Sequence, residues 1–168
     1  MPKQSESLKQ ALPSSVRIPT HPCTVHLRFG PMSGIGTRVE ELDEAESRRL
    51  LEMHSFVGRV GFVSEGHVLV LPVNYLVENG EIFFCTRSGT KLSMLRGGAA
   101  VAFEVDASRS LYHSGWSVLV SGTASEVTNP DVLERLRRGS LKSWAVASPE
   151  HWIRITIEAI TGRRIPEI

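Results

Sequence analysis

The residues best suited to chemistry form one short run, Thr86-Arg87-Ser88-Gly89-Thr90-Lys91, which follows a predicted strand. Three hydroxyls, a glycine and two cations stand here directly before a helical pattern that carries Leu92 and Leu95. Free backbone N–H groups at a helix start, and charge-assisted donors from lysine or arginine, are the groups that bind phosphate in proteins. The run therefore predicts a phosphate-binding loop, with an ordinary strand-to-helix connection as the alternative.

Familiar catalytic motifs are absent from the sequence. It contains no G-x-S-x-G, no H-E-x-x-H and no G-x-x-x-x-G-K-[ST]. His54, His67 and His113 are isolated in sequence, and we expect them to be surface or core histidines rather than catalytic bases. His21 and His26 have no carboxylate or cysteine cluster beside them, so no metal site is predicted.

The composition limits the classes of partner. The 168 residues carry 19 Lys plus Arg against 18 Asp plus Glu, which leaves no charge excess to attract nucleic acid or an anionic membrane. Cys23 and Cys85 form neither a CxxC pair nor a disulfide framework. No apolar run reaches the roughly 20 residues of a membrane span, and the N-terminus lacks a signal-peptide core. We therefore expect a cytoplasmic protein that binds neither nucleic acid nor membrane.

The sequence divides into a predicted N-terminal arm, residues 1–38, and one predicted domain, residues 39–168. The arm shows no sustained period of 2 or 3.6, so we expect it to be flexible. Its prolines are Pro2, Pro13, Pro19, Pro22 and Pro31.

Alternating apolar residues predict about six mostly antiparallel strands in the domain. Asn79-Gly80 predicts a type I′ hairpin turn, because both residues adopt positive φ readily. Glu65-Gly66 predicts a second turn, and Gly122 predicts a bulge or bend inside a long strand. Residues 106–115 are expected to form a polar loop. The predicted strands cover residues 59–64, 68–77, 82–86, 100–105, 116–127 and about 153–157.

Three short helices are predicted, one before these strands and two between them. The first begins at Asp43, a suitable N-cap, and continues to residue 53. The second follows the phosphate loop and ends at Gly97-Gly98. The third covers residues 131–138 after Asn129-Pro130, because asparagine caps well and proline suits a first turn. Few helices among many short strands predict a mainly β fold, a small β-barrel.

Five short motifs stand in the order seen in one known superfamily. They are Gly-Arg-Val-Gly-Phe at 58–62, Pro-Val-Asn-Tyr at 72–75, Phe-Phe-Cys-Thr-Arg-Ser-Gly-Thr-Lys at 83–91, Val-Ala-Phe-Glu-Val-Asp at 101–106 and Gly-Trp-Ser-Val-Leu-Val-Ser-Gly at 115–122. Together they resemble the pyridoxamine 5′-phosphate oxidase-like superfamily of flavin-binding split barrels. Trp144-Ala-Val and the later Ile-Arg-Ile and Ile-Thr-Gly-Arg-Arg resemble a bacterial branch of it. The resemblance covers about residues 40 to 165.

The resemblance implies a homodimeric split barrel with flavin mononucleotide (FMN) in each of two clefts at the subunit interface. Carried over by position, the loop would hold the ribityl phosphate of FMN, with Arg87 assisting. The residues placed at the phosphate are Thr86, Ser88, Gly89, Thr90 and Lys91.

The resemblance also places residues around the isoalloxazine ring. Trp116 and Ser117 would lie beside the ring, and Arg163 or Arg164 would reach across the interface. The backbone groups facing the ring would come from Pro72, Val73 and Asn74. A flat ring suits a strand edge and an aromatic wall, and the flavin would supply the redox chemistry.

Two departures separate this chain from the true oxidases of the superfamily. Those enzymes carry an Arg-Lys pair in the phosphate loop, where Thr90-Lys91 stands here, and they end in an Arg-x-His substrate motif. This chain instead ends Thr161-Gly-Arg-Arg-Ile-Pro-Glu-Ile. We therefore expect an FMN-dependent oxidoreductase of an unidentified small molecule rather than an oxidase of the vitamin B6 phosphates.

Two other functions fit the same fold. A deazaflavin-dependent reductase would need a basic groove for the acidic tail of that cofactor, and Arg87, Arg96 and Arg109 are the candidates. A non-catalytic flavin-binding or sensing module would use residues 1–38 to contact a partner protein.

Overall fold

One antiparallel sheet dominates the computed structural model, which describes residues 39–53, 57–138 and 151–167. The predicted arm, His54 and the Trp144 motif lie outside these residues. The strands are β1 (Glu40–Leu42), β2 (Gly58–Ser64), β3 (His67–Val73), β4 (Tyr75–Glu78), β5 (Glu81–Thr86), β6 (Gly97–Arg109), β7 (Ser114–Glu126) and β8 (His151–Ile165). The helices are α1 (Glu44–Met53), α2 (Thr90–Leu95) and α3 (Pro130–Arg138), with a 3₁₀ turn at Ser110–Tyr112.

The strand order is β3-β2-β6-β7-β8-β5-β4, and β1 pairs with the far end of β8. Tyr75 on β4 and Phe103 on β6 make an edge-to-face ring contact with centroids 4.9 Å apart. These strands are separated by three others in the sheet order, so the sheet curls on itself around one core. The predicted mainly β barrel with antiparallel strands is confirmed, with eight strands in the described part of the chain rather than about six.

Both predicted hairpin turns are confirmed. Asn79 and Gly80 have φ of 53° and 76°, and Glu65 and Gly66 have φ of 51° and 79°. Two successive positive φ values are the signature of the type I′ turn, whose twist matches that of the flanking strands.

The predicted strand over residues 68–77 is wrong in one respect, because it is interrupted at Asn74. Val73 ends β3 opposite Gly58 of β2, whereas Tyr75 begins β4 opposite Phe84 of β5. The chain therefore leaves one edge of the curled sheet and joins the other at Asn74. Periodicity cannot detect this exchange, since residues 68–77 form an apolar run that is broken only by Asn74.

Gly122 lies at the predicted irregularity. The β7–β8 register shifts between Ser121 and Gly122, whose partners are Ala159 and Ile157, so Glu158 is the extra residue. A Cβ on Gly122 would collide with the carbonyl oxygen of Thr156, which makes glycine necessary at this close approach.

Two strand limits differ from the prediction. Most of the expected polar loop at 106–115 belongs to β6 and β7, whose ladder reaches the pair Arg109–Ser114. Gly97 and Gly98 belong to β6, and α2 ends earlier, at Leu95. Cross-strand pairing outweighs the polar and glycine-rich composition at both places.

The predicted N-caps are present on α1 and α3. The backbone N–H of Glu46 donates to Asp43 Oδ1 at 2.8 Å, and that of Asp131 donates to Asn129 Oδ1 at 2.9 Å. Within the described ranges, no helix is long and apolar enough to cross a bilayer.

Candidate functional site

The predicted phosphate loop connects β5 to α2. Thr86 ends β5 with its side chain buried, and its Oγ1 donates to the carbonyl oxygen of Arg87 at 3.2 Å. Arg87, Ser88 and Thr90 are exposed. The buried threonine anchors the loop, and the residues that follow it are accessible from solvent.

Gly89 gives the loop its shape. Its φ is 149° with ψ of −172°, a conformation essentially limited to glycine. An added Cβ at Gly89 would meet no atom within 4 Å, so the constraint comes from the backbone and the space beside Gly89 is open.

Lys91 is half-buried on the first turn of α2. Burial lowers the pKa of its ammonium group, and the nearby Cys85 acts in the opposite direction. Among residues 39–53, 57–138 and 151–167, no carboxylate forms an ion pair with Lys91. A partly desolvated ammonium without an acidic partner is stabilised by an incoming anion.

The sequence analysis missed a group of side chains beside this loop. His151 begins β8 opposite Thr86, and its Nε2 lies 3.1 Å from Ser88 Oγ. Its Nδ1 lies 2.7 Å from Glu126 Oε1, and Glu126 Oε2 lies 2.9 Å from Arg96 Nη2. These residues are far apart in sequence and carry no motif. Only the placement of His151 at the start of a strand beside β5 could have indicated them.

Asn74 lies at the same end of the sheet as the loop, whereas Pro72 pairs with Arg59 of β2, which pairs in turn with Glu104 of β6. Tyr75 pairs with Phe84, so continuing this register places the crossover at Asn74 beside the end of β5. The Oη of Tyr75 donates to the carbonyl oxygen of Leu51 at 2.9 Å, and burial raises the pKa of Tyr75. This buried tyrosine fixes the crossover against α1.

Trp116, Ser117 and Arg163 lie together elsewhere, in a cleft of about 610 Å³. Trp116 packs its ring partly against the core, and Ser117 lies opposite Arg163 in the β7–β8 ladder. Glu104, Asp106 and Arg109 also line this cleft. The cleft therefore combines an aromatic wall with charged groups of both signs.

Arginines fix the borders of this cleft. Arg59 Nη1 lies 2.9 Å from Glu104 Oε2 and 2.6 Å from Asp106 Oδ1, so both carboxylates are paired. Arg164 Nη2 lies 2.6 Å from Glu46 Oε1 and ties β8 to α1. Of the two arginines considered at the sequence level, Arg163 is therefore the one directed to the cleft.

The structure does not bring the two groups of predicted residues together in one chain. Thr86 faces His151 at the start of β8, whereas Ser117 faces Arg163 near its end. At about 3.3 Å per residue, these positions lie roughly 40 Å apart along the strand. The same separation divides the arginines expected to form a basic groove, since Arg96 lies at the loop end and Arg109 lines the cleft.

In the described part of the chain, no group of three or more His, Cys, Asp or Glu residues is placed to hold a metal ion.

The curled antiparallel sheet with its strand-to-helix loop defines the class of split-barrel proteins. A family model described as pyridoxamine 5′-phosphate oxidase matches residues 43–164. The chain therefore belongs to the pyridoxamine 5′-phosphate oxidase family, as the motifs predicted.

Individual relatives agree with this family. An uncharacterised protein of Mycobacterium tuberculosis is 36% identical over 143 residues, which cover 82% of this chain and 91% of the relative. The crystal structure of a Corynebacterium glutamicum protein, described as a candidate pyridoxamine 5′-phosphate oxidase, is 30% identical with a TM-score of 0.67. It covers 78% of this chain and 100% of that chain. A FAD-binding protein of Mycobacterium smegmatis is 29% identical with a TM-score of 0.59, covering 77% and 100%.

Proposed function

We propose that this protein binds FMN with the cofactor phosphate at the loop from Thr86 to Lys91. The observation that carries the proposal is the half-buried Lys91, which has no described acidic partner and lies beside exposed hydroxyls and the open space at Gly89. A dianionic phosphate would provide the negatively charged partner that the Lys91 ammonium group does not have among the described residues. Arg87 would add a second positive charge to the loop.

The rest of the cofactor would extend along the crossover between β3 and β4. Val73 and Asn74 would offer backbone groups to the isoalloxazine ring, and the exposed Pro72 would border it. When bound, the flavin would supply electron transfer, while the chain would bind, orient and shield it. Flavin redox chemistry often needs no catalytic side chain, which agrees with the lack of catalytic motifs in this sequence.

We propose further that two chains complete each site as a homodimer. The loop lies at the start of β8 and the Arg163 cleft near its end, which supports a site built from two chains. In a twofold dimer, the cleft with Trp116, Ser117 and Arg163 would instead face the loop of the other protomer, and the arrangement would repeat at the second site.

The outer face of β2 and β3 supports association of two copies. Val63, Val68 and Val70 are 64%, 74% and 60% exposed. Val63 pairs with Val68, and Gly61 with Val70, so these side chains form one apolar strip beside Pro72. A strip of this kind is unfavourable in water and suits a protein interface.

The identity of the flavin nucleotide is the finer part of the proposal. FAD is an alternative, because the M. smegmatis relative is named for it. Deazaflavin is less favoured, because Arg109 lies too far from Arg87 and Arg96 to share a groove in one protomer. FMN ends in a single phosphate group, which the loop from Thr86 to Lys91 alone would hold.

We propose an oxidoreductase that acts on a small molecule rather than on the vitamin B6 phosphates. The superfamily's terminal Arg-x-His is replaced by Thr161-Gly-Arg-Arg. The cleft at Trp116 could accept a planar substrate against its aromatic wall, and Arg163 lines the same cleft.

The test of cofactor binding is a titration of purified protein with FMN, FAD, riboflavin and deazaflavin, followed by flavin fluorescence and absorbance. We expect FMN to bind below about 10 μM, a free energy of about −7 kcal/mol. Riboflavin should bind more weakly because it lacks the phosphate. Failure of every flavin to bind would refute the proposed function. Tighter binding of deazaflavin than of FMN would identify deazaflavin as the cofactor.

The test of the shared site is complementation between two defective variants. Lys91→Ala should damage the loop half, and Arg163→Glu should damage the cleft half. Mixed after unfolding and refolding, they should recover about one quarter of all sites, because half of randomly formed dimers are mixed and each has one intact site. No recovery, with mixed dimers shown to form, would refute a site shared between protomers.

A further inference from the structure

A second, smaller cavity lies beside α3 and the turn between β4 and β5. It shares no lining residue with the loop from Thr86 to Lys91 or with the cleft at Trp116. Its volume is about 200 Å³. Pockets for drug-sized ligands measure roughly 300 to 1,000 Å³, so this cavity suits a smaller molecule.

One wall of this cavity is apolar. Phe83 of β5 is buried in a small second core with Leu136 of α3 and Trp152 of β8. Val127 and Val132 pack against that core and also line the cavity. The Phe83 ring and the two valines therefore form a surface that would favour an aliphatic group of a ligand.

Two charged side chains at the cavity already have close partners. Arg135 Nε donates to Glu78 Oε1. Glu126 Oε1 lies 2.7 Å from His151 Nδ1, and Glu126 Oε2 lies 2.9 Å from Arg96 Nη2. A charged ligand group at Arg135 or Glu126 would have to compete with these contacts.

Arg154 and Glu81, which also line the cavity, are paired only loosely. Arg154 Nε lies 3.6 Å from Glu81 Oε1, beyond the roughly 2.7 to 3.2 Å of a hydrogen bond. Among the described residues, the guanidinium of Arg154 donates no hydrogen bond, and Glu81 accepts one from Thr156 Oγ1 at 3.1 Å. Because a guanidinium carries five N–H donors and a carboxylate accepts several bonds, both groups retain capacity for a ligand.

We propose that this cavity binds a small α-amino acid with an aliphatic side chain. The ligand carboxylate pairs with Arg154, its ammonium group pairs with Glu81, and its side chain contacts Phe83. A zwitterion suits the cavity better than an anion or a cation, because the lining contains two arginines and two glutamates. The site is separate from the proposed flavin site and does not depend on it.

The experiment is an NMR titration of ¹⁵N-labelled wild-type protein with L-valine. The side-chain amides of Asn79 and Asn129 and the backbone amides of Val127 and Val132 lie at the cavity and report its occupancy. We expect saturable shifts of these signals, with a Kd below about 1 mM. Isovalerate lacks the ammonium group of valine and isobutylamine lacks its carboxylate, so each should bind at least about tenfold more weakly.

Two variants that each remove one charge test the polar contacts. Arg154→Gln removes the positive charge, and Glu81→Gln removes the negative charge while keeping an oxygen for Thr156. Each should weaken L-valine binding by about tenfold or more. Arg48→Gln, at an exposed ion pair on α1, is the matched control and should bind as wild type. Thermal unfolding shows whether each variant is folded.

Three outcomes would overturn the inference. The absence of saturable shifts with L-valine would show that the cavity is not an amino acid site. Isovalerate binding as tightly as L-valine would identify an anion site instead. Equal L-valine affinity in wild type, Arg154→Gln and Glu81→Gln would place the ligand elsewhere. These titrations contain no flavin, so their failure leaves the proposed function intact, and the FMN titration tests that function separately.

Discussion

Ser117 and Arg163 are partners in the β7–β8 ladder, at the opposite end of β8 from His151 and the phosphate loop. This relationship gives each chain two separate half-sites, one that suits a phosphate and one that offers an aromatic, charged cleft. On the proposed function, a ligand that contacts both would lie between two chains. The proposed homodimer and the position of the cofactor therefore depend on the same geometry.

Replacing Lys91 by alanine should weaken FMN binding while hardly affecting folding. The loss of a charge-assisted hydrogen bond should cost about 1.5 to 3 kcal/mol of binding free energy. Fluorescence titration measures the change, and thermal unfolding monitors the fold. Arg48→Ala, on the exposed face of α1, is the control and should leave the affinity unchanged. Equal affinity in Lys91→Ala and wild type would place the phosphate elsewhere.

Replacing Val70 by lysine should produce a monomer that remains folded. The side chain is 60% exposed in the single chain, so lysine is accommodated there but would place charges in the proposed apolar interface. Sedimentation velocity measures the mass. Met53→Lys is the control, because Met53 is 61% exposed at the end of α1. A Val70→Lys dimer with wild-type affinity would exclude this face as the interface.

Replacing Gly89 by alanine should destabilise the loop by about 1 to 3 kcal/mol, because alanine rarely adopts its backbone conformation. If only the loop changes its conformation, part of this free-energy cost should appear as weaker FMN binding rather than as lower stability of the whole fold. Gly97→Ala is the matched control, since Gly97 has open space and no positive φ. Chemical unfolding and flavin titration of both variants test the difference, and identical behaviour would contradict the assigned strain.

Replacing Glu46 by glutamine should make the melting temperature depend less on pH below about pH 4.5. Hydrogen bonds from Arg49 and Arg164 lower the pKa of Glu46 from 4.5 to about 2. The resulting stabilisation is present above pH 4.5 and is lost as pH falls toward 2, because protonation removes both pairs. Melting temperatures of wild type and Glu46→Gln should therefore converge in this range. Glu44→Gln is the control, and parallel curves for wild type and Glu46→Gln would contradict the coupling.

Replacing Gly122 by alanine should destabilise the whole barrel by about 1 to 3 kcal/mol through overpacking. The added methyl group would collide with the backbone of Thr156 at the bulge. Gly61→Ala is the control, because the nearest atoms to an added Cβ there lie at 3.8 Å. Urea unfolding of the two variants measures the difference, and equal stability would show that the bulge relaxes freely.

Local chemistry in the sequence was sufficient for several features. The turns at Asn79-Gly80 and Glu65-Gly66 and the caps at Asp43 and Asn129 depend on neighbouring residues only, so residue type predicts them. The glycine inside β7 likewise indicated its bulge. The connection from Thr86 to Lys91 was predictable because its hydroxyls, glycine and cations are contiguous, and its role in phosphate binding stays a prediction.

Only the tertiary structure determined which distant residues meet. The interruption at Asn74 arises because β3 and β4 pair with different strands, and His151 reaches Ser88 because β8 begins beside the end of β5. The division between the loop and the cleft at Arg163 likewise follows from the length and register of β8. Ladder register depends on backbone hydrogen bonds between segments far apart in the chain, and a local sequence pattern does not specify those pairings.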